Sequence, residues 1–232
     1  PLFSYSHKGQ ISEESNLGDI NRFFEDIINT NDDFVLQTST KKSGIIPSFK
    51  KTSSKYIVYK EVRYHNILEH LMATDESIRV IGLIRNPVDV IESWYNAPKE
   101  FRMDLGWKIE DEWFYAPNKN CGKIEEFNGL KRWLEVVRLF QNLSIRYPNR
   151  FLRVKYEDLL EDTEMEVKRM FDFTGINYCK QTKEFLNSDK HVENPYSVYR
   201  NKKVTSKKLF LPESITKEII NIVKMEGLQE FL

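Results

Sequence analysis

The residue pattern predicts an α/β fold, with a central, mostly parallel sheet flanked by helices. Three observations carry that reading. Residues 80–84, Val-Ile-Gly-Leu-Ile, form an apolar run without polar alternation, the pattern of a strand covered on both faces. Tyr56-Ile57-Val58-Tyr59 and Phe151-Leu152-Arg153-Val154-Lys155-Tyr156 read as two further strands. Around them, apolar residues recur at helical spacing, and strands alternating with helices build parallel sheets.

Taken in order, Leu17, Ile20, Phe23, Phe24 and Ile27 share one face of a helix over residues 17–28. Phe34-Val35-Leu36 reads as a short strand. Residues 37–54, rich in Ser, Thr and Lys around Gly44 and Pro47, read as an exposed loop. A helix over residues 66–73 then links the strand at 56–59 to the strand at 80–84. Such a unit sets its strands parallel with a right-handed crossover, so Lys60 and Arg85 are expected at one sheet edge.

Asn86 suits a helix N-cap and Pro87 the first helical turn. Asp89, three residues beyond the cap, suits the positive end of the helix dipole. Arg85 therefore stands where a strand's carboxyl end meets a helix N-terminus, the usual ligand edge of an open α/β sheet. Its guanidinium can fork onto a phosphate or pair with Asp89, and the stretch alone leaves both readings open. Ser93, eight residues on, offers a hydroxyl from the same helix.

Residues 97–122 mix Phe101, Trp107, Trp113, Phe114 and Tyr115 with many charges. They read either as a substrate lid or as a helix docked by its aromatics. Residues 123–147 carry Phe127, Leu130, Trp133, Leu134, Val137, Phe140 and Ile145 at helical spacing, as core. After the strand at 151–156, Asp162 caps a helix over residues 163–174, and Gly175 ends it. Residues 180–186 form one more short helix. The basic run at 189–208 is either a solvated loop or one closing over a phosphate. Pro212 opens a last helix carrying Ile215, Ile219, Ile222 and Val223.

At 232 residues the chain can bury one substantial core, and it reads as a single domain over residues 1–232. Lys plus Arg equals Asp plus Glu, at 35 each, so no global field draws the chain to nucleic acid or membrane. No apolar run approaches the length of a membrane span. The 2 cysteines, Cys121 and Cys179, make no disulfide framework and no metal-ligand spacing. Their usage suits a reducing, cytoplasmic compartment.

With these residues placed, the chain resembles the sulfotransferases that take a sulfuryl group from 3′-phosphoadenosine 5′-phosphosulfate (PAPS), closer to carbohydrate-type and bacterial members than to the cytosolic branch. Three matches carry the resemblance. Ile84-Arg85-Asn86-Pro87-Val88-Asp89-Val90-Ile91-Glu92-Ser93 is similar to the family's strand–Arg–helix–Ser segment, which binds the donor's 3′-phosphate. Val154-Lys155-Tyr156-Glu157-Asp158-Leu159, with Phe173-Thr174-Gly175 beyond it, is similar to a segment whose Tyr lies near the adenine. Tyr59-Lys60-Glu61-Val62-Arg63 is similar to the family's Lys-containing strand end. The family's Gly-rich phosphosulfate loop has no counterpart in these residues, and the reading expects it upstream, in an N-terminally incomplete domain. Val62 holds the position of the cytosolic branch's His, and Tyr199-Arg200-Asn201-Lys202-Lys203 is a loose analogue of that branch's C-terminal basic pattern.

The resemblance implies a three-layer P-loop-NTPase-like fold and transfer of a sulfuryl group from PAPS to a hydroxyl or amine of a small-molecule or carbohydrate acceptor, releasing 3′,5′-ADP without a metal. It implies Arg85, Ser93, Tyr156, Arg200 and Lys202 as donor-binding residues. Lys60 would stabilise the moving group, unless it only pairs with Glu61, and Glu61 and His65 are the candidate bases. Two other readings stand beside it: a sulfotransferase-like nucleotide-binding protein without activity, and a P-loop small-molecule kinase, which needs a Walker lysine loop that these residues lack.

Overall fold

The computed structural model describes residues 11–48, 56–58, 60–188, 190 and 209–232. The chain divides into two compact units, one of Pro1–Ser77 with Tyr178–Thr205 and one of Ile78–Asn177 with Ser206–Leu232.

In the first unit, α1 (Leu17–Asn29) starts at a capping box: the Asn16 side chain accepts from the Asp19 N–H, and the Asp19 carboxylate accepts from the Asn16 N–H. Ile20 and Phe23 are buried, whereas Leu17, at the edge of the predicted face, is exposed. The predicted strand at Phe34-Val35-Leu36 is instead a helical turn, α2 (Asp33–Leu36). The Asp32 carboxylate accepts from the Val35 N–H at 3.0 Å, and that cap outweighs the β preference of the apolar residues. A second turn, α3 (Thr38–Lys42), lies inside the predicted loop.

Tyr56-Ile57-Val58 forms no strand: none of the three is paired in a sheet, and Val58 is 81% exposed. Tyr59 lies outside the described residues. A strand needs a backbone partner as well as an apolar sequence, and this segment has no such partner among the described residues. A 3₁₀ turn at His65–Ile67 leads into α4 (Leu68–Thr74), close to the predicted 66–73, which buries Leu68, Leu71 and Met72. Burial lowers the His65 pKa from its ordinary 6.5 to about 4.

In the second unit, β1 (Val80–Ile84) is followed by α5 (Pro87–Tyr95), with Asn86 as N-cap and Pro87 at the first turn, as predicted. The chain next runs through α6 (Ile109–Glu112), α7 (Pro117–Asn120) and α8 (Leu130–Arg146) to β2 (Phe151–Lys155). Then come α9 (Tyr156–Glu161) and α10 (Thr163–Thr174). α11 (Lys180–Leu186) belongs to the first unit, and α12 (Glu213–Met225) closes the second.

β1 and β2 pair in parallel, Val80 opposite Phe151 and Ile84 opposite Lys155. The crossover between them carries α5 to α8. This parallel pair, with α8 and α10 packed on it, is the α/β core that the sequence predicts. The predicted pairing of β1 with the 56–59 segment does not form among the described residues, where the sheet is β1 with β2. β1 is also not covered on both faces. Gly82 and Ile84 are buried, but Ile81 is 36% and Leu83 49% exposed.

Gly82 fixes how α8 meets the sheet. A Cβ there would lie 2.7 Å from Phe140 of α8 and 2.8 Å from Phe151 of β2. Phe140 and Phe151 meet over that gap as tilted rings, with centroids 5.2 Å apart. Trp133 lies two turns before Phe140 on the same helix face, so the close approach at Gly82 also sets the height of Trp133. α8 is shorter than the predicted 123–147. It begins after Gly129, whose φ of 84° suits glycine and whose added Cβ would meet the Phe114 carbonyl oxygen at 2.6 Å. The Leu130 and Lys131 N–H groups donate to the Trp113 and Phe114 carbonyls, satisfying donors at the helix start.

Gly82→Ala should destabilise the protein by about 1–3 kcal/mol through overpacking against two ring edges, read as a lower denaturation midpoint at unchanged slope. The unfolded chain protonates His65 near pH 6.5 and the folded chain only near pH 4. His65 therefore lends its full stability above pH 6.5 and loses it as the pH falls toward 4. His65→Gln should flatten the melting temperature over that window. Comparison with wild type isolates His65 from Glu61, whose burial-raised pKa acts with the opposite sign.

Candidate functional site: the Arg85 corner

The β1–α5 junction brings together residues from α5, α8 and α9. Arg85 follows the last residue of β1, and its side chain is 33% exposed. One terminal nitrogen, Nη2, donates to Asp89 Oδ2 at 3.1 Å. The guanidinium carbon lies 4.9 Å from the centre of the Tyr156 ring, a cation–π contact. Arg85 Nε is buried and has no hydrogen-bond partner among the described residues. The pairing with Asp89 that the sequence left open is formed, and it uses a single donor.

Magnitudes decide whether that pair closes the site. An exposed i,i+4 ion pair contributes about 0.3–0.5 kcal/mol, and the Asp89 side chain is itself 47% exposed. A phosphate taking two charge-assisted bonds from a guanidinium is the stronger partner. Asp89 therefore holds the guanidinium without blocking an anion.

Tyr156 is the first residue of α9 and not the last of a strand, because the chain turns helical directly after Lys155. One face of its ring is covered by Arg85, so a base stacking there has only the other face or the ring edge. Ser93 is exposed on α5, one turn beyond Asp89 on the same side of the helix. Its hydroxyl lies about 6 Å further along the axis than Asp89.

Two residues at this corner were assigned no role by the sequence. Trp133 Nε1 donates to the Arg85 carbonyl at 3.1 Å, and Glu157 Oε1 accepts from the Asn86 N–H at 2.9 Å. Trp133 reads as core from its spacing, and it is indeed 9% exposed. Its indole N–H finds a partner 48 residues away, which no local pattern announces.

Lys60, Glu61 and His65 belong to the first unit. Lys60 is exposed. Glu61 Oε1 accepts from the backbone N–H groups of Val62 and Arg63 at 2.9 and 2.8 Å. Burial raises the Glu61 pKa, and those two bonds offset part of the rise. A carboxylate so raised is better matched to accepting a proton than His65, whose conjugate acid forms only near pH 4. Arg200 and Lys202 lie outside the described residues.

Residues 97–122 form not one docked helix but a 3₁₀ turn at Met103–Leu105 followed by α6 and α7. Phe101 is fully buried and meets Trp94, Tyr95 and Trp107 edge-on, at centroid distances of 5.1, 5.1 and 5.9 Å. Beside it is a hollow of about 560 Å³ lined by Pro98, Lys99, Phe101, Arg102, Met103 and Asp104. This hollow follows the C-terminal end of α5, whereas Arg85 precedes its N-terminal end. Among the described residues, no helix is long and apolar enough to cross a membrane.

The sulfotransferase domain model matches residues 22–224. Human carbohydrate sulfotransferase 6 is 23% identical over 189 residues, covering 77% of this chain and 46% of that protein. Sulfotransferase 2A1 of Rattus norvegicus is 35% identical over 102 residues, covering 42% of this chain and 31% of that protein. Carbohydrate sulfotransferase 4 of Mus musculus is 26% identical over 148 residues, covering 59% and 36%. The chain thus spans less than half the length of these relatives. Since the family model covers most of its residues, the chain belongs to the sulfotransferase domain family.

Proposed function

We propose that the protein transfers a sulfuryl group from PAPS to a hydroxyl or amine acceptor, and that Arg85 and Ser93 hold the donor's 3′-phosphate. The observation that carries the reading is the Arg85 guanidinium, held by Asp89 on one nitrogen and by the Tyr156 ring on its face. It stands at a strand-to-helix junction in a chain of the sulfotransferase family. Family membership also sets aside the small-molecule kinase reading.

In this reading the acceptor oxygen or nitrogen attacks sulfur in line. The bond from sulfur to the bridging oxygen breaks, and its electron pair leaves with the 5′-phosphate of 3′,5′-ADP. Positioning and charge stabilisation supply most of the catalysis, as in phosphoryl transfer. Lys60 neutralises charge developing on the bridging oxygen. Glu61 is preferred over His65 as the acceptor's base, because its raised pKa lies on the useful side. Tyr156 borders the adenine, and Arg200 and Lys202 add positive charge to the donor. The relatives named carbohydrate sulfotransferases favour a sugar hydroxyl as acceptor. Residues 97–122 are the acceptor-side element of what we read as one domain, their hollow beside Phe101 offering an apolar floor with charges at its rim.

Arg85→Ala in the full-length protein should weaken 3′,5′-ADP binding at least about tenfold by calorimetry, the loss expected for charge-assisted bonds. Unchanged affinity would remove the 3′-phosphate assignment. Lys60→Ala should lower turnover of labelled PAPS about 10²–10³-fold while leaving 3′,5′-ADP affinity within about threefold. Equal losses in both would make Lys60 a binding residue. Tight 3′,5′-ADP binding without transfer to any sugar, phenol or amine would favour the inactive binding protein.

A further inference from the structure

The peptide between Arg85 and Asn86 sits at a corner that neither ladder serves. The β1–β2 register ends at Ile84 opposite Lys155, and Asn86, with φ −44° and ψ 127°, is the N-cap of α5. A backbone unit in that position has lost its strand partners and has not yet gained helical ones. Here two side chains take their place. Trp133 of α8 donates to the carbonyl oxygen at 3.1 Å, and Glu157 of α9 accepts from the N–H at 2.9 Å. The two bonds hold opposite ends of one peptide, from residues 48 and 71 positions away.

Glu157 would otherwise be misplaced. It puts a carboxylate on the backbone next to Arg85, which in the proposed function receives a phosphate, and like charge there opposes the ligand. Its acceptor oxygen is what the corner uses. Rotation of the Arg85–Asn86 peptide would re-aim the Arg85 side chain, and a long side chain magnifies a small turn at its root. Misplacement of a binding group by an ångström is costly to the ligand it serves.

We infer that Trp133 and Glu157 are positioning residues for the anion site: together they fix the single peptide from which the Arg85 guanidinium is aimed. The inference rests on Arg85 being the 3′-phosphate contact.

The test measures 3′,5′-ADP and 5′-AMP affinities of the full-length protein by calorimetry, 5′-AMP lacking the 3′-phosphate. Glu157→Ala and Trp133→Phe should each weaken 3′,5′-ADP about five- to tenfold, the worth of one hydrogen bond, and leave 5′-AMP unchanged. Glu157→Gln keeps an acceptor oxygen without the charge, so it should bind 3′,5′-ADP at least as tightly as wild type. The double variant Trp133→Phe/Glu157→Ala should lose about as much as one single variant, since freeing either end frees the peptide.

Unchanged 3′,5′-ADP affinity in Glu157→Ala and Trp133→Phe would overturn the inference. So would equal weakening of 5′-AMP, failure of Glu157→Gln to restore binding, or multiplied losses in the double variant. Because Glu157 is exposed, its variants keep the test open if Trp133→Phe unfolds. Arg85→Ala separates the two claims. If it binds 3′,5′-ADP like wild type, the 3′-phosphate reading fails and the clamp has nothing to aim. If it loses affinity while the clamp variants do not, only the clamp fails.

Discussion

The missing side chain at Gly82 is the constraint on which the second unit depends. Only glycine lets Phe140 settle against β1 with Phe151 behind it, and that seat fixes the height of α8 over the sheet. Two turns earlier on the same face, Trp133 then reaches the carbonyl of Arg85. A packing fact in the core thus becomes a hydrogen bond at the ligand edge. α9 completes the corner from the other side, because the chain turns helical as soon as β2 ends and so brings Tyr156 and Glu157 to Arg85 and Asn86.

What was legible in the sequence was what local chemistry decides. Asn86, Pro87 and Asp89 specify a helix start within four residues, and the structure forms it there. Asp162 and Gly175 bracket α10 in the same way. The failures have different causes. Tyr56-Ile57-Val58 has strand composition, but composition cannot supply the neighbour that a strand pairs with. Phe34-Val35-Leu36 has it as well, yet a single carboxylate at Asp32 turns the segment helical. α8 starts late because Gly129 and the Trp113 and Phe114 carbonyls set its first turn, a tertiary event invisible in the periodicity.

The candidate site divides along the same line. Arg85 follows from its place at a strand's end, Asp89 and Ser93 from helical spacing, and Tyr156 from the family resemblance alone. Trp133 and Glu157 do not, because their partners lie far off in sequence and their residue types look ordinary where they stand. The half-occupied guanidinium also answers a question that the sequence left open. Arg85 is neither wholly spent on Asp89 nor free. Under the proposed function, its contacts with Asp89 and Tyr156 are weak enough for a dianion to outbid and keep the group ordered before the ligand arrives.

The most direct measurement is a crystal structure of the full-length protein with 3′,5′-ADP. The account predicts the 3′-phosphate within about 2.7–3.2 Å of an Arg85 guanidinium nitrogen, with the Trp133 and Glu157 bonds to the Arg85–Asn86 peptide intact. A nucleotide bound with its 3′-phosphate elsewhere, and Arg85 still paired to Asp89 alone, would contradict it.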